Sequence, residues 1–163
     1  MSAEPAPRPI GSTAGPQKAA WQTAANVVIR GLLRTPLLHR ALSNLLITLY
    51  VVGRTSGRRY AIPVAYARHE GRLLVGTSAA WAHNFRTGQT VSAQLRGRRR
   101  QLDAEVLTDR SSVTESYEVI IRHNKNFARF NGITFDADGR PDPEDLHRVW
   151  ATGARVIRLT PAP

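Results

Sequence analysis

The spacing of apolar residues changes character near residue 45. Before it, Trp21, Ala25, Val28 and Leu32 recur at helical spacing, and Val27, Ile29 and Leu33 widen the stripe. Arg30 and Arg34 lie outside that stripe, so the pattern predicts an N-terminal amphipathic helix that ends before Pro36. Residues 36–43 fit a further short helical turn. After Leu45 the period falls to two. Leu45–Val52 is an apolar run, and Tyr60, Ile62, Val64 and Tyr66 then alternate with Ala61, Pro63, Ala65 and Ala67. One face of that second run is large and the other is small. A turn at His69–Arg72 leads into Leu73–Ser78, where Gly76 and Ser78 again leave a small face. Thr90–Leu95 alternates, Arg96-Gly97-Arg98 makes a turn, and Leu102, Ala104 and Val106 alternate with Gln101, Asp103 and Glu105. The spacing predicts about five antiparallel strands in roughly 65 residues, a small barrel or strongly curved sheet.

Helices flank these strands. Ala79–Arg86 reads as a short helix, and Ser112–His123 as a longer one with Val113, Tyr117, Ile120 and Ile121 on one face. Asp142 followed by Pro143 is a helix start, with the aspartate as cap and the proline at the first position. Gly153 ends that helix, and Arg155–Leu159 supplies a closing strand. The class is mainly β with flanking helices (α+β).

Length and composition narrow the picture. At 163 residues the chain is expected to be one domain, 18–163, after a disordered Pro/Ala/Gly/Ser lead-in at 1–17. Cysteine is absent, which removes a thiolate nucleophile and cysteine metal sites, and fits a reducing cytoplasm. Arginines interrupt Ala24–Val52, so no spanning helix is expected, although the basic face of the first helix suits peripheral contact with an anionic membrane. The five histidines, His39, His69, His83, His123 and His147, show no ligand spacing, and no metal is expected. Asp136-x-Asp138-Gly139 lacks the rest of a calcium loop and reads as a turn.

The net charge of +11, nearly all arginine, asks for an anionic partner: nucleic acid, a lipid surface or a charged small molecule. The basic run Arg96–Arg100 has the charge to hold phosphates, but its strands lack an aromatic ladder and no nucleic-acid-binding signature appears, so no nucleic acid is expected. The stretch Gly53-Arg54-Thr55-Ser56-Gly57-Arg58-Arg59 has the ingredients of an anion site. Its glycines permit a tight backbone nest, its hydroxyls donate, and its guanidiniums supply charge and bidentate geometry. It is not a Walker loop, and a solvated turn is the plain alternative. The small faces of the second and third strands either let a flat ring lie on the sheet or pack against a helix. Trp81 either walls such a pocket or joins the core.

Taken together, these motifs resemble the deazaflavin-dependent nitroreductase family. The resemblance is carried by Gly53-Arg54-Thr55-Ser56-Gly57, Pro63, Gly71-Arg72, Trp81-Ala82-His83-Asn84-Phe85-Arg86 and the ending Arg155–Pro161. It implies a split β-barrel that binds coenzyme F-420 and moves a hydride to a quinone, nitroaromatic or other conjugated acceptor. It places Arg54, Thr55 and Ser56 in a turn for the anionic tail, with Arg58 and Arg59 beside it. Pro63 and Val64 would border a groove, Gly76, Thr77, Ser78 and Ala79 would follow the coenzyme, and Trp81 and Asn84 would close over it. Ser78 is the candidate hydrogen-bond partner of a carbonyl or substrate anion, and Tyr66, Tyr117 and His123 are candidate proton donors. Thr55 stands where the family often has a basic residue, which keeps FMN or a haem-type ligand as an alternative occupant. Asn124–Asp142 fits the family's pattern poorly, and a homodimer is compatible with such a barrel.

Overall fold

The computed structural model describes residues 46–162. The chain divides into two units, Met1–Thr35 and Pro36–Pro163, and every described residue belongs to the second. The expected helix before Pro36, its membrane-facing basic side, the turn at 36–43 and the lead-in at 1–17 lie outside the described residues.

Seven strands form one antiparallel sheet: β1 (Leu46–Val52), β2 (Arg59–Ala65), β3 (Ala67–His69), β4 (Arg72–Thr77), β5 (Gln89–Leu95), β6 (Arg98–Leu107) and β7 (Arg155–Pro161). Their order is β2-β1-β5-β6-β7-β4-β3. The two edge strands, β2 and β3, are consecutive in the chain and separated only by Tyr66. The sheet therefore has to curl until its edges approach, which makes a half-barrel. The run expected as a single strand, Tyr60–Ala67, is thus divided at Tyr66: β2 pairs with β1, and β3 pairs with β4. Pro63, which has no N–H to donate, is tolerated because β2 is an edge.

Two hairpins are tightened by two-residue turns. Glu70-Gly71 joins β3 to β4, with φ of 48° and 76°, and Arg96-Gly97 joins β5 to β6, with 49° and 76°. Positive φ at both central residues is the geometry that matches strand twist, and a glycine in the second place adopts it without a Cβ clash.

Alternation along the strands produces two cores. Ile47, Leu49, Val51, Tyr66, Leu73, Val75, Val91, Ala93, Leu102, Ala104, Ile157 and Leu159 fill the interior, joined by Ala82 and Phe85. Leu74 and Val156 point the other way, onto a helical layer. That layer comprises α1 (Arg110–His123), α2 (Lys125–Phe130) and α3 (Pro143–Ala151). Val113, Tyr117, Ile120 and Ile121 of α1 are all buried, as their spacing requires. Asp109 caps α1 by accepting from the Ser112 N–H at 2.9 Å, and Asp142 caps α3 by accepting from Glu144 and Asp145. Asp145 also accepts two bonds from Thr134 and one from Arg148, fixing the loop before α3. The Asp136–Gly139 segment is a turn, in which Asp136 Oδ1 accepts from the Asp138 and Arg140 N–H groups.

Candidate functional site

Antiparallel pairing gathers distant segments at one end of the half-barrel. Val52 lies opposite Arg59, Leu107 opposite Val156, and Thr77 opposite Arg155. The 53–58 turn, the end of β4, the connection 78–88 and the start of β7 therefore share that end. The basic hairpin at Arg96–Arg98 lies at the opposite end, because Leu95 pairs with Ile47 at the other extremity of β1.

The turn is held from within and from outside. Gly53 N–H donates to Arg58 O and Gly57 N–H to Gly53 O, both at 2.8 Å. Arg58 N–H donates to Ser56 Oγ at 3.3 Å, and that hydroxyl also pairs with the Tyr60 hydroxyl at 3.3 Å. A Cβ on Gly53 would sit 2.6 Å from Ser56 Oγ and 3.0 Å from Tyr60 Cε2, so a larger residue there would have to displace the Ser56 hydroxyl. Arg54 N–H donates to Asn84 Oδ1 at 3.0 Å. These bonds leave the N–H groups of Thr55 and Ser56 as the turn's unengaged backbone donors among the described residues. The tight backbone nest expected from the two glycines thus has two donors to offer, because closing the turn uses the others.

Asn84 belongs to a 3-10 segment, Ala80–Asn84, that connects β4 to β5. Its amide donates to Trp81 O at 3.0 Å, so one side chain ties the segment to itself and to the basic turn. Trp81 is half-buried on the interior core and meets Phe85 edge-on, with ring centroids 5.8 Å apart. Thr77 Oγ1 accepts from the Ala79 N–H at 3.0 Å and fixes the exit of β4. Ser78 is exposed between them.

The two segments that meet here carry charged side chains of positive sign only, and the carboxylate beside them, Asp103, accepts from Thr90 Oγ1 at 2.7 Å. Arg54, Arg58 and Arg59 are exposed, and segments 53–59 and 77–90 contain neither Asp nor Glu. His83 on the 3-10 segment titrates below the usual histidine range, because burial and the positive charges of Arg155 and Arg54 disfavour its protonated form. His83 and Arg155 were not singled out as binding residues in the sequence. Arg155 is brought in by pairing with Thr77, a neighbour 78 positions away that no local pattern announces.

Other expected residues part company. Val64 lies opposite Ile47 and packs on the interior core, whereas Pro63 lies opposite Thr48 and is exposed on the outer face. Their side chains face opposite sides of β2, as neighbours along a strand do. Gly76 faces the helices: a Cβ there would meet Phe127 Cζ at 2.7 Å, Tyr117 Cε2 at 3.0 Å and Ile120 Cδ1 at 3.1 Å. Its small face seats a phenyl ring of α2, which is the helix-packing alternative.

The four residues considered for catalysis do not converge. Tyr66 is buried in the interior core, under the Arg68 guanidinium at 5.8 Å. Tyr117 is buried in the helical core against Phe127, its hydroxyl has no hydrogen-bond partner among the described residues, and burial pushes its ionisation upward. His123 ends α1 with Nδ1 2.9 Å from Val119 O. Ser78 is the member of this set at the basic end.

Among the described residues no group of three or more acidic or histidine side chains is placed to hold a metal, and no helix is long and apolar enough to cross a membrane. Surface depressions are formed by Arg110, Pro143, Glu144 and His147, and between α1 and the β3–β4 turn, and neither is lined by residues of the 53–59 turn or the 78–88 connection.

Residues 35–134 match the family described as F420H2-dependent quinone reductase. No curated protein matches the chain. Among solved structures, the chain is similar to the conserved hypothetical protein Rv2991 from Mycobacterium tuberculosis, with 15% identity and a TM-score of 0.47 over 80% of this chain and 82% of that one. It is similar to an F420-H2 dependent reductase (FDR-A), with 14% identity and a TM-score of 0.45 over 69% of this chain and 92% of that one. A protein described as a domain-swapped dimer matches with 13% identity and a TM-score of 0.48 over 89% of this chain and 99% of that one.

Proposed function

The chain belongs to the F420H2-dependent quinone reductase family, and on that premise we propose that its basic barrel end grips the anionic tail of coenzyme F-420 while the protein serves a hydride transfer to a quinone or similar conjugated acceptor. Family membership makes it an F420-dependent oxidoreductase, with F-420 as the cofactor. The residues fit such a group. A dianionic or polyanionic tail needs clustered cations, free donors and no competing carboxylate, and the 53–59 turn with His83 and Arg155 meets all three requirements.

When bound, the coenzyme supplies the hydride, and the protein contributes orientation and exclusion of water. Arg54, Arg58 and Arg59 offer charge, and Thr55 and Ser56 offer N–H and hydroxyl donors. Asn84 holds the turn against the 3-10 segment, so the backbone that carries these cations is fixed before any ligand arrives. Fixing it beforehand lowers the ordering cost of binding. Trp81 presents a half-buried ring at the same end, suited to cover a flat heterocycle. Ser78 is the exposed hydroxyl placed to hydrogen-bond an acceptor's oxygen. Quinones, nitroaromatics and other conjugated acceptors all present such an oxygen, and the described residues favour none of them.

The single observation that carries this reading is the Arg54–Asn84 bond, which joins the basic turn to the Trp81 segment. Calorimetric titration with the oxidised coenzyme tests it. Binding is expected in the micromolar range, and no binding at tens of micromolar, about −6 kcal/mol, rejects it. Loss of the reduced coenzyme's absorbance with a quinone added then distinguishes a reductase from a carrier.

A further inference from the structure

We propose that His83, Arg54 and Arg155 form one anion seat in which binding of an anionic group of the coenzyme protonates His83, so that coenzyme and proton are taken up together. The inference rests on the reading that this barrel end holds coenzyme F-420. It goes further by assigning two residues, His83 and Arg155, and by coupling the site to pH.

Backbone pairing and hydrogen bonds bring three separate elements to one end of the half-barrel. Arg54 is anchored by its backbone N–H to Asn84 Oδ1, and Asn84 is the residue after His83. Arg155 opens β7 opposite Thr77, whose hydroxyl accepts from Ala79, the residue that leads into the 3-10 segment. His83 is exposed on that segment. The charged groups acting on it are Arg155 from β7 and Arg54 from the turn, Arg86 follows two residues after its segment, and among the described residues no carboxylate contributes to the shift. Arg155 lies beyond the matched residues 35–134, so the seat is completed by the closing strand.

The direction of the effect follows from charge. Without ligand, desolvation and then the positive charges of Arg155 and Arg54 disfavour the imidazolium. An anion placed among them offsets those charges and hydrogen-bonds the imidazolium, so the His83 pKa rises. Solvent supplies the proton, and the imidazole ring nitrogen receives it. Affinity then strengthens as pH falls between the two titration midpoints and is flat above the upper one. A rise of one pKa unit corresponds to about tenfold tighter binding on the acid side.

The test is the pH titration of the His83 ring proton by NMR, in free and coenzyme-saturated protein, with His83→Gln identifying the resonance. The free midpoint is expected below the usual histidine range and should move up when coenzyme binds. In the free protein, Arg155→Gln should also move it up. Coenzyme affinity should lose part of its pH dependence in His83→Gln, and what remains belongs to the coenzyme's own titration. If coenzyme binds and the His83 midpoint stays in place, the inference is overturned while the cofactor assignment stands. If coenzyme does not bind, the cofactor assignment fails, and sulfate against chloride at matched ionic strength decides the inference alone. A sulfate-specific rise in the midpoint supports the seat, and no rise overturns it.

Discussion

At one end of the half-barrel the β1–β2 turn and its exit carry Arg54, Arg58 and Arg59; at the other, the β5–β6 hairpin carries Arg96, Arg98, Arg99 and Arg100. By arginine density the two are alike, and both are exposed. They differ in what surrounds them. The first turn is bonded to a separate segment through Asn84 and gains His83 and Arg155 from two other elements. The second engages its own sheet. Arg99 lies 4.6 Å over the Tyr50 ring and donates to Ser92 Oγ at 3.1 Å. The neighbouring β3–β4 turn at that end brings a carboxylate, Glu70, 3.7 Å from His69. One end thus adds cations from separate elements to a bonded turn, and the other engages its arginine on its own sheet. Convergence of elements, more than local charge, separates a binding site from a soluble turn.

The largest expected effect comes from dismantling that convergence. Arg54→Gln with Arg155→Gln should weaken coenzyme binding by about a hundredfold or more, each charge-assisted contact being worth ~1.5 kcal/mol or more. Calorimetric titration reads it, and an unchanged affinity would mean that the tail lies elsewhere. Next comes the seat beneath β4. Gly76→Ala drives a methyl to within 2.7 Å of Phe127 Cζ and close to Tyr117 and Ile120. The fold should lose about 1–3 kcal/mol, measured by denaturant unfolding. Combining it with Phe127→Leu should recover part of the loss, because the phenyl edge is then gone.

Smaller effects sharpen the contrast. Asn84→Ala removes the bond to the Arg54 N–H and the bond to Trp81 O. Coenzyme affinity should fall several-fold, about 1 kcal/mol, by loosening the turn while all its charges remain. Tyr117→Phe deletes a buried hydroxyl that has no hydrogen-bond partner among the described residues. Stability should stay within ~1 kcal/mol or rise, since an unsatisfied buried hydroxyl costs free energy. A clear loss in thermal unfolding would show that the hydroxyl is engaged.

Much of this architecture was legible in the sequence because it rests on local periodicity. The alternation in Thr90–Leu95 and Leu102–Val106, the Asp142-Pro143 helix start and the closing strand all follow from residues a few positions apart. The division at Tyr66 was not legible. Alternation runs unbroken through Tyr66, Ala67 and Arg68, and only the change of partner from β1 to β4 ends one strand and begins the next. The small face at Gly76 was ambiguous for a related reason: a glycine that admits a flat ligand and one that admits Phe127 look the same until α2 is in place. At the site, the basic turn and the Trp81–Asn84 segment were both visible, whereas the hydrogen bond that joins them was not. Arg155 was read as a strand residue because its pairing with Thr77 spans most of the chain.

The measurement that bears most directly on this account compares two variants of equal charge. Arg58→Gln with Arg59→Gln removes two positive charges from one end, and Arg98→Gln with Arg100→Gln removes two from the other. Coenzyme titration at matched ionic strength should show a loss of at least tenfold for the first and no change for the second, as expected if fixed local contacts of ~1.5 kcal/mol govern binding. Equal weakening in both would show that overall positive charge draws the coenzyme, and would contradict a dedicated seat at the β1–β2 turn.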